Sequence, residues 1–209
     1  MSVQTVLERC YPGRRALLKR EILLTALDCF NRQGIETTTI EVIKDRCETS
    51  VGAIYHHFTN KEGIVVALFH CGQDDLSRLT DAYLAEVKSV EEGIQAIVFA
   101  YVDWVVAEPE LARFQFQART VLSQSVHATE LVNRSKERNK GLLAWFLQPG
   151  RKEKFTRCPL ELLLSLIIGQ SESYCRAWLS KRVQSSPVKY REALAAAAWH
   201  SVDAVSARY

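Results

Sequence analysis

The sequence lacks a long hydrophobic run and has no large excess of one charge. Its most apolar stretch, residues 162–168, is far shorter than the roughly 20 residues that a membrane-spanning helix needs. Residues 1–7 hold no basic cluster followed by an apolar segment, so a signal peptide is not expected. Lys and Arg number 27 against 24 Asp and Glu, which leaves a net charge of +3. We therefore expect a soluble cytoplasmic chain without a membrane partner, in which any DNA-binding surface comes from local placement of charge.

The cysteines show no C-x-x-C pair. They are Cys10, Cys29, Cys47, Cys71, Cys158 and Cys175. Disulfide frameworks are typical of short secreted chains, so we predict reduced thiols. No metal site is expected, because the adjacent His70 and Cys71 would point about 100° apart on a helix. Cys47 lies in a predicted turn and is a candidate redox-sensitive thiol, although no neighbouring pattern indicates a lowered pKa.

The motifs of the common enzyme classes are also absent. The sequence has no G-x-S-x-G, no phosphate-binding loop, no H-E-x-x-H and no dinucleotide fingerprint. Glu91 and Glu92 are adjacent at a predicted helix start, where they suit the helix dipole better than acid–base chemistry. The consecutive residues 171–173 cannot converge as a catalytic triad. We therefore predict no catalytic residue and no cofactor, and an enzyme is the least favoured alternative.

Nearly every segment has the period of an amphipathic helix. Between residues 15 and 33 the apolar residues recur at spacings of three and four. Gly34 supplies a stop for this helix because glycine tolerates positive φ. Thr39 is a candidate N-cap for the next helix, with Glu41 in its first turn. The chain is 47% hydrophobic and shows no useful strand-like alternation, so we predict an all-α fold.

Residues 37–62 have the spacing of a helix-turn-helix. Such a unit consists of a helix of about eight residues, a turn of about four and a second short helix. Ser50 would cap the second helix, whose outer face is small or polar, while Ile54 and Phe58 would attach it to the core. Gly52 costs this helix about 1 kcal/mol relative to alanine, which close approach to DNA would explain. We therefore predict that the second helix lies in a major groove.

The same residues resemble the N-terminal domain of the tetracycline-repressor (TetR) family. The resemblance rests on Thr38-Thr39-Ile40, Ile43, Ser50-Val51-Gly52-Ala53-Ile54-Tyr55-His56-His57-Phe58 and Asn60-Lys61-Glu62. It implies a homodimer that binds a palindromic operator in double-stranded DNA, commonly as a repressor. It also implies a C-terminal domain that usually binds a small molecule and then releases the DNA.

The resemblance also implies particular DNA contacts, residue by residue. They are Thr38, Thr39, Thr49, Ser50, Val51, Gly52, Tyr55, His56 and Lys61. The threonines, Tyr55 and Lys61 would contact phosphates, and His56 with the start of the second helix would reach base edges. His57 is expected to be structural. The pair Arg14-Arg15 would add phosphate or minor-groove contacts.

The turn departs from the family pattern. Where the family usually reads Ala-Gly-Val-Ser, this chain has Cys47-Glu48-Thr49-Ser50. Without the glycine, Glu48 is predicted to take a left-handed conformation, at a cost of roughly 1–2 kcal/mol. Lys44 stands where the family favours alanine. Both departures leave the Ser50 cap and the helix spacing intact, so the domain is still expected.

The rest of the chain matches the family only in length and helical character. We predict a DNA-binding domain over residues 1–62 and a ligand-binding and dimerisation domain over residues 63–209. The predicted contacts of a small apolar or amphipathic ligand are Tyr101, Trp104, Phe116, Trp145, Gln170 and Tyr174. A simpler interpretation, that the aromatic residues only form core, stays open, as does a regulator without a ligand.

The last two predicted helices are the expected homodimer interface. Leucine and isoleucine dominate residues 162–168, and alanine occupies residues 195–198 and position 193. Small side chains permit close approach between helices, and two helices from each subunit would form a four-helix interface. The alternative is that these helices only cover the core of their own domain.

Overall fold

A computed structural model describes residues 2–151 and 160–208. The α-helices are α1 (Val3–Cys10), α2 (Leu17–Gln33), α3 (Ile40–Arg46), α4 (Val51–Phe58), α5 (Lys61–Leu84), α6 (Val90–Ala107), α7 (Pro109–Ser123), α8 (Ala128–Arg138), α9 (Lys140–Phe146), α10 (Leu160–Leu179) and α11 (Arg191–Arg208). Short 3₁₀ helices lie at Arg14–Ala16 and Pro187–Tyr190. These ranges contain no strand, and the all-α prediction is confirmed. Within the same ranges, no helix combines the length and the apolar character needed to cross a membrane.

The chain divides into two compact units. The first contains Met1–Asp75 and Ala107–Asn133, and the second contains Leu76–Val106 and Arg134–Tyr209. The chain therefore enters each unit twice. This division reflects packing, and the functional boundary at residue 62 stays a prediction.

The core of the first unit is built around α2. The buried residues of this helix include the expected apolar stripe, Ile22, Leu23, Ala26, Leu27 and Phe30. Phe30 stacks on Phe114 of α7 with 5.7 Å between the ring centroids. Burial of such a side chain contributes about 1.5–3 kcal/mol. Because α3 and α4 also pack on α2, this helix holds both of them in place.

Helix α1 precedes the first helix expected from the sequence. Its buried residues Val3, Val6 and Leu7 recur at spacings of three and four, so the helical period is present in this short segment. Arg9 donates from Nε and Nη2 to Asp75 Oδ1 on α5, at 3.1 and 2.5 Å. A part-buried ion pair therefore connects α1 to α5.

The second unit contains α6, α9, α10 and α11, with parts of α5 and α8. Helices α10 and α11 pack against each other. Asp103 on α6 accepts from Tyr83 Oη of α5 at 2.6 Å and pairs with Arg191 of α11 at 2.7 Å. Gly93 on α6 lies against the indole of Trp145, and a Cβ at this position would overlap the ring.

The sequence pattern predicts one helix over residues 127–147, but the structure has two helices there. Helix α8 ends at Arg138 and α9 begins at Lys140, with Asn139 between them at φ −78° and ψ −4°. Gly141 follows the break, and its low helix propensity favours an interruption here. The polar and basic composition of residues 151–156 predicts a loop, but all of them after position 151 lie outside the described residues, as does Cys158.

Candidate DNA-binding surface

Helices α3 and α4 are short, and a four-residue turn, residues 47–50, joins them. Gly34 ends α2 with φ +93°, as expected. Thr39 Oγ1 accepts from the Val42 amide at 3.3 Å, and Ser50 Oγ accepts from the Ala53 amide at 3.1 Å. Both predicted caps are confirmed. Each satisfies a backbone N–H that has no partner inside its helix.

The turn contains the left-handed residue expected at Glu48, with φ +50°. The Cys47 amide donates to the Ile43 carbonyl at 3.0 Å, and the Thr49 amide donates to the Lys44 carbonyl at 3.4 Å. The second bond is that of a Schellman ending, in which glycine normally takes the left-handed position. The prediction made from the missing glycine is therefore confirmed, and the conformation costs about 1–2 kcal/mol.

One side of α4 is open to solvent. The exposed residues on this side are Gly52, Tyr55 and His56, beside the half-buried Val51. Tyr55 is 48% exposed. Ile54 and Phe58 on the opposite side are buried. Helix α4 thus presents small, polar and aromatic groups outward, as a helix that enters a DNA groove requires.

The three threonines predicted to contact DNA differ in exposure. Thr39 is exposed, and Thr49 in the turn is half-buried. Thr38 is 0% exposed. Its hydroxyl donates to the Gly34 carbonyl at 2.8 Å and accepts from Gln33 Nε2 at 3.1 Å. A buried hydroxyl does not reach a phosphate, so the predicted DNA contact from the Thr38 side chain does not fit, and this group is structural.

The backbone geometry of the junction between α4 and α5 is not anticipated from the sequence. Thr59 takes φ +63° and ψ −44°, and the Asn60 amide donates to the Phe58 carbonyl at 2.6 Å. This is the rare, strained form of the γ-turn. Asn60 Oδ1 accepts from the Gly63 amide at 2.8 Å and so caps α5. A Cβ at Gly63 would overlap the Phe58 carbonyl oxygen, so Asn60 and Gly63 are the signals that could have revealed this junction.

Lys61 stands at the start of α5 and is half-buried. Its Nζ donates to the carbonyl oxygens of Ile35 and Glu36, at 2.8 and 3.0 Å. An ammonium group has three donors, so one is left for an anion. Lys61, which is predicted to contact a phosphate, therefore also connects α5 to the segment between α2 and α3.

Near α4, Lys19 carries a charge and His57 does not. Burial lowers the pKa of His57, and the nearby His56 and Lys19 lower it further. His57 is therefore mostly neutral at pH 7, because its ordinary pKa is already near 6.5. Lys19 Nζ lies 4.1 Å from the Tyr11 ring centroid and 5.4 Å from that of Phe58. Its charge therefore lies near the C-terminal end of α4.

Cys47 does not have the environment of a reactive thiol. Burial raises its pKa, and its Sγ lies 3.9 Å from the Lys44 carbonyl oxygen. A raised pKa disfavours the nucleophilic thiolate. In the part of the chain that the structure describes, no group of three His, Cys, Asp or Glu side chains is arranged to hold a metal ion.

The predicted ligand contacts are divided between the two units. Phe116 belongs to the first unit, and the other five belong to the second. Trp104 is buried, and Tyr101 is half-buried on the same helix, α6. Trp145 lies between Gly93 and the guanidinium of Arg151, whose carbon is 4.1 Å from the ring centroid.

The two predicted ligand contacts on α10 already have partners. Tyr174 Oη donates to the Ser185 carbonyl at 3.0 Å. Gln170 is exposed, and its Nε2 donates to Ser201 Oγ of α11 at 3.3 Å. Both side chains therefore connect α10 to the segment that follows it.

Helices α10 and α11 leave small side chains exposed. The exposed residues include Leu162, Ser165, Gly169 and Ser173 on α10, and Ala193 and Ala204 on α11. Ala195 and Ala198 of α11 are buried within the unit. Alanine therefore occupies both the inner and the outer side of α11.

Two capped short helices, the second with an open polar side, define a helix-turn-helix DNA-binding protein. Residues 22–68 match the family described as bacterial regulatory proteins, tetR family. This segment begins in α2, ends in α5 and includes all of α3 and α4. The helix-turn-helix segment of the chain therefore matches this family.

The curated relatives match less than half of the chain. The HTH-type transcriptional regulator BetI of Klebsiella pneumoniae (strain 342) is 32% identical over 91 residues, which cover 41% of this chain and 45% of the relative. BetI of Escherichia coli (strain K12 / DH10B) is 31% identical over 91 residues, with the same coverage. The match thus spans less than half the length of these relatives.

Solved structures match over most of the chain. The fatty acid degradation regulator FadR from Bacillus halodurans has a TM-score of 0.67 at 21% identity, covering 90% of this chain and 97% of that one. A TetR family transcription regulator from Marinobacter aquaeolei VT8 has a TM-score of 0.72 at 17% identity, covering 88% and 94%. At these identities the similarity establishes the fold alone.

Proposed function

We propose that the chain is a transcriptional repressor that binds a palindromic operator as a homodimer and leaves it when a small molecule binds. The observation that carries this proposal is the open side of α4. Ser50 caps this helix, and Ile54 and Phe58 attach it to the core. The match of residues 22–68 to the tetR family supports the same function. Such a regulator acts on chromosomal DNA and therefore in the cytoplasm.

The proposed contacts follow the exposure of the side chains. Ser50, Val51, Gly52 and His56 meet base edges or thymine methyl groups in the major groove. Thr39, Thr49, Tyr55 and Lys61 contact phosphates, Lys61 through its third N–H donor. Arg14 and Arg15 are exposed and add further phosphate contacts. Phosphate contacts set the register of α4 along the groove, and the contacts to base edges select the sequence.

Gly52 is the residue that most directly suggests a surface in close contact. A Cβ at this position would meet only Ser50 Oγ, at 3.9 Å, so the free protein has room for a side chain. Glycine nevertheless weakens α4 by about 1 kcal/mol relative to alanine. The free protein gains nothing from this glycine. Close approach of a DNA strand to the first turn of α4 explains it.

The test is the Gly52→Ala variant on DNA selected by the protein itself. Sequences that the purified full chain recovers from a random library are expected to contain an inverted repeat. Its half-sites should lie about 10–10.5 base pairs, or a multiple of this, apart. The variant is expected to bind the selected DNA at least about tenfold more weakly, while its helix is more stable by up to about 1 kcal/mol. Fluorescence anisotropy and thermal unfolding measure the two effects.

Gly141→Ala is the matched control. Gly141 also lies in a helix, and a Cβ there meets nothing within 4 Å. This variant should gain stability and keep its affinity for DNA. Unchanged affinity of Gly52→Ala for DNA would contradict close approach of DNA at this residue. Failure to recover any enriched DNA sequence would contradict the proposed function.

The dimer forms through α10 and α11 on this proposal. Gly169 and the outer alanines of α11 permit close approach between helices, and Leu162 adds apolar area. An apolar or amphipathic ligand binds among the aromatic residues of the second unit, which include Tyr101, Trp104 and Trp145. The ligand must favour one of two dimer geometries to change the affinity for DNA.

A further inference from the structure

Cys10 and Cys71 lie against each other in the first unit. Cys10 is the last residue of α1, and Cys71 lies within α5. Cys10 Sγ is 3.9 Å from the Cys71 carbonyl oxygen, and the two side chains are hydrogen-bonded. Both are free thiols, Cys10 half-buried and Cys71 buried. Two thiols that are distant in the sequence thus meet across two helices.

A neighbouring ion pair keeps the two helices in register. Arg9 directly precedes Cys10, and Asp75 lies one helical turn after Cys71. Arg9 donates twice to Asp75 Oδ1, at 3.1 and 2.5 Å, and the Asp75 side chain is 3% exposed. A two-point contact to a buried carboxylate restricts sliding between α1 and α5. The thiols therefore stay in contact.

The two thiols differ in acidity. The hydrogen bond from Cys71 lowers the pKa of Cys10, which outweighs the opposing effects of burial and of Asp74 and Asp75. The same hydrogen bond and burial raise the pKa of Cys71. Burial raises the pKa of Cys175 to about 12. Cys10 therefore has more thiolate character than Cys71, and thiolates are the form that peroxides oxidise.

We propose that Cys10 and Cys71 are a redox-active pair that closes to an intramolecular disulfide when hydrogen peroxide oxidises Cys10. The Cys10 thiolate attacks one peroxide oxygen, the O–O bond breaks, and hydroxide leaves, which gives a sulfenic acid at Cys10. The Cys71 sulfur then attacks Cys10 Sγ and forms the S–S bond. The S–OH bond breaks, and the oxygen leaves as water with the Cys71 proton. The two thiols lose two electrons in total, and the peroxide is reduced.

The disulfide would enclose α2, α3 and α4. It would join α1 directly to α5, the helix that follows α4. Closing a loop of roughly 60 residues restricts the unfolded chain and so stabilises the folded first unit. The pair would be a reversible modification site in the unit that carries the DNA-binding surface.

The test uses the full chain in its reduced form, treated with hydrogen peroxide at low excess. Free thiols are then blocked, and peptides are mapped by mass spectrometry without reduction. We expect a Cys10–Cys71 cross-linked peptide and a thermal unfolding midpoint raised by about 5 °C or more. A thiol reductant should reverse both. Absence of the cross-linked peptide in protein that remains folded would overturn the proposal.

Two variants separate the steps. Cys71→Ser lacks the second thiol and is expected to accumulate sulfenic acid at Cys10, which dimedone traps. Cys47→Ser removes another half-buried cysteine of the same unit and should form the cross-link as the parent does. Cross-links that involve other cysteines as often as Cys71, or trapping of sulfenic acid equally at all thiols, would contradict a specific pair.

Discussion

At the scale of single residues, Glu48 occupies a position that normally requires glycine. Its φ of +50° brings Cβ close to its own carbonyl oxygen. The hydrogen bond from the Thr49 amide to the Lys44 carbonyl closes the helix end only with a left-handed residue at this position. The turn therefore keeps the strained conformation, and the strain is confined to one residue.

Replacing Glu48 by glycine is expected to raise the free energy of unfolding by about 0.5–1 kcal/mol. Glycine adopts this φ without a steric penalty, although it also adds entropy to the unfolded chain. Urea unfolding followed by circular dichroism measures the change. The matched control is Glu41→Gly in the first turn of α3, where the same replacement should lower stability by about 0.5–1 kcal/mol. A loss of stability at both positions would argue against strain at Glu48.

Residues whose role depends on local backbone geometry could be predicted from the sequence. The missing turn glycine predicts the conformation of Glu48, and capping preferences predict Thr39 and Ser50. The burial of Thr38 could not be predicted in this way, because adjacent threonines do not reveal which hydroxyl faces the core. The γ-turn at Thr59 was missed because a β-branched residue rarely takes positive φ.

At the scale of helices, the junction between α4 and α5 determines the direction of α4 relative to α5. The last carbonyl of α4, from Phe58, lies against Gly63 in the first turn of α5. Asn60 caps α5 between them. The two helices thus approach each other with no side chain between them at this point, and their relative direction depends on one glycine.

The Gly63→Ala variant is expected to lose about 2–3 kcal/mol of stability, because the added methyl group overlaps a backbone oxygen that has little room to move. Chemical unfolding measures the loss, and the affinity for selected DNA should fall because α4 shifts. Gly141→Ala, in open space, is expected to gain stability instead. An unfolding midpoint unchanged from the parent in Gly63→Ala would show that the junction adapts easily.

Helices with a long apolar stripe were predicted well, and short or interrupted ones were not. The apolar stripe in the sequence of α2 predicts both that this helix forms and which of its sides is buried. Helix α1 was missed because only three apolar residues mark its period. The break at Asn139 was missed because a single glycine, Gly141, disfavours a helix only weakly, and the apolar period shows no interruption.

At the scale of the whole molecule, the proposed function depends on a second copy of the chain. The net charge of +3 carries no information about DNA binding, so the proposed surface is local. Several small residues of α10 and α11, among them Gly169 and Ala193, are exposed in the single chain. A second copy of the chain would cover these small residues and supply a second local DNA-binding surface.

Gly169→Glu is expected to convert the proposed dimer to a monomer, since a carboxylate placed between closely packed helices lacks a partner. In the single chain the substitution is harmless, because a Cβ at this position meets nothing within 4 Å. Light scattering after gel filtration measures the mass. Gly141→Glu introduces the same change at another exposed helical glycine and should remain a dimer. Two dimeric variants would move the interface away from α10.

The contact between Asp103 and Arg191 also has a consequence for synthesis of the chain on the ribosome. The two residues are 88 positions apart. At synthesis rates of about 5–20 residues per second, Arg191 follows Asp103 by roughly 4–18 s. During this interval the nascent second unit lacks α11, and its apolar helix α6 has no complete cover. The second unit therefore completes its fold only after α11 has been synthesised, and chaperones have several seconds in which to bind α6.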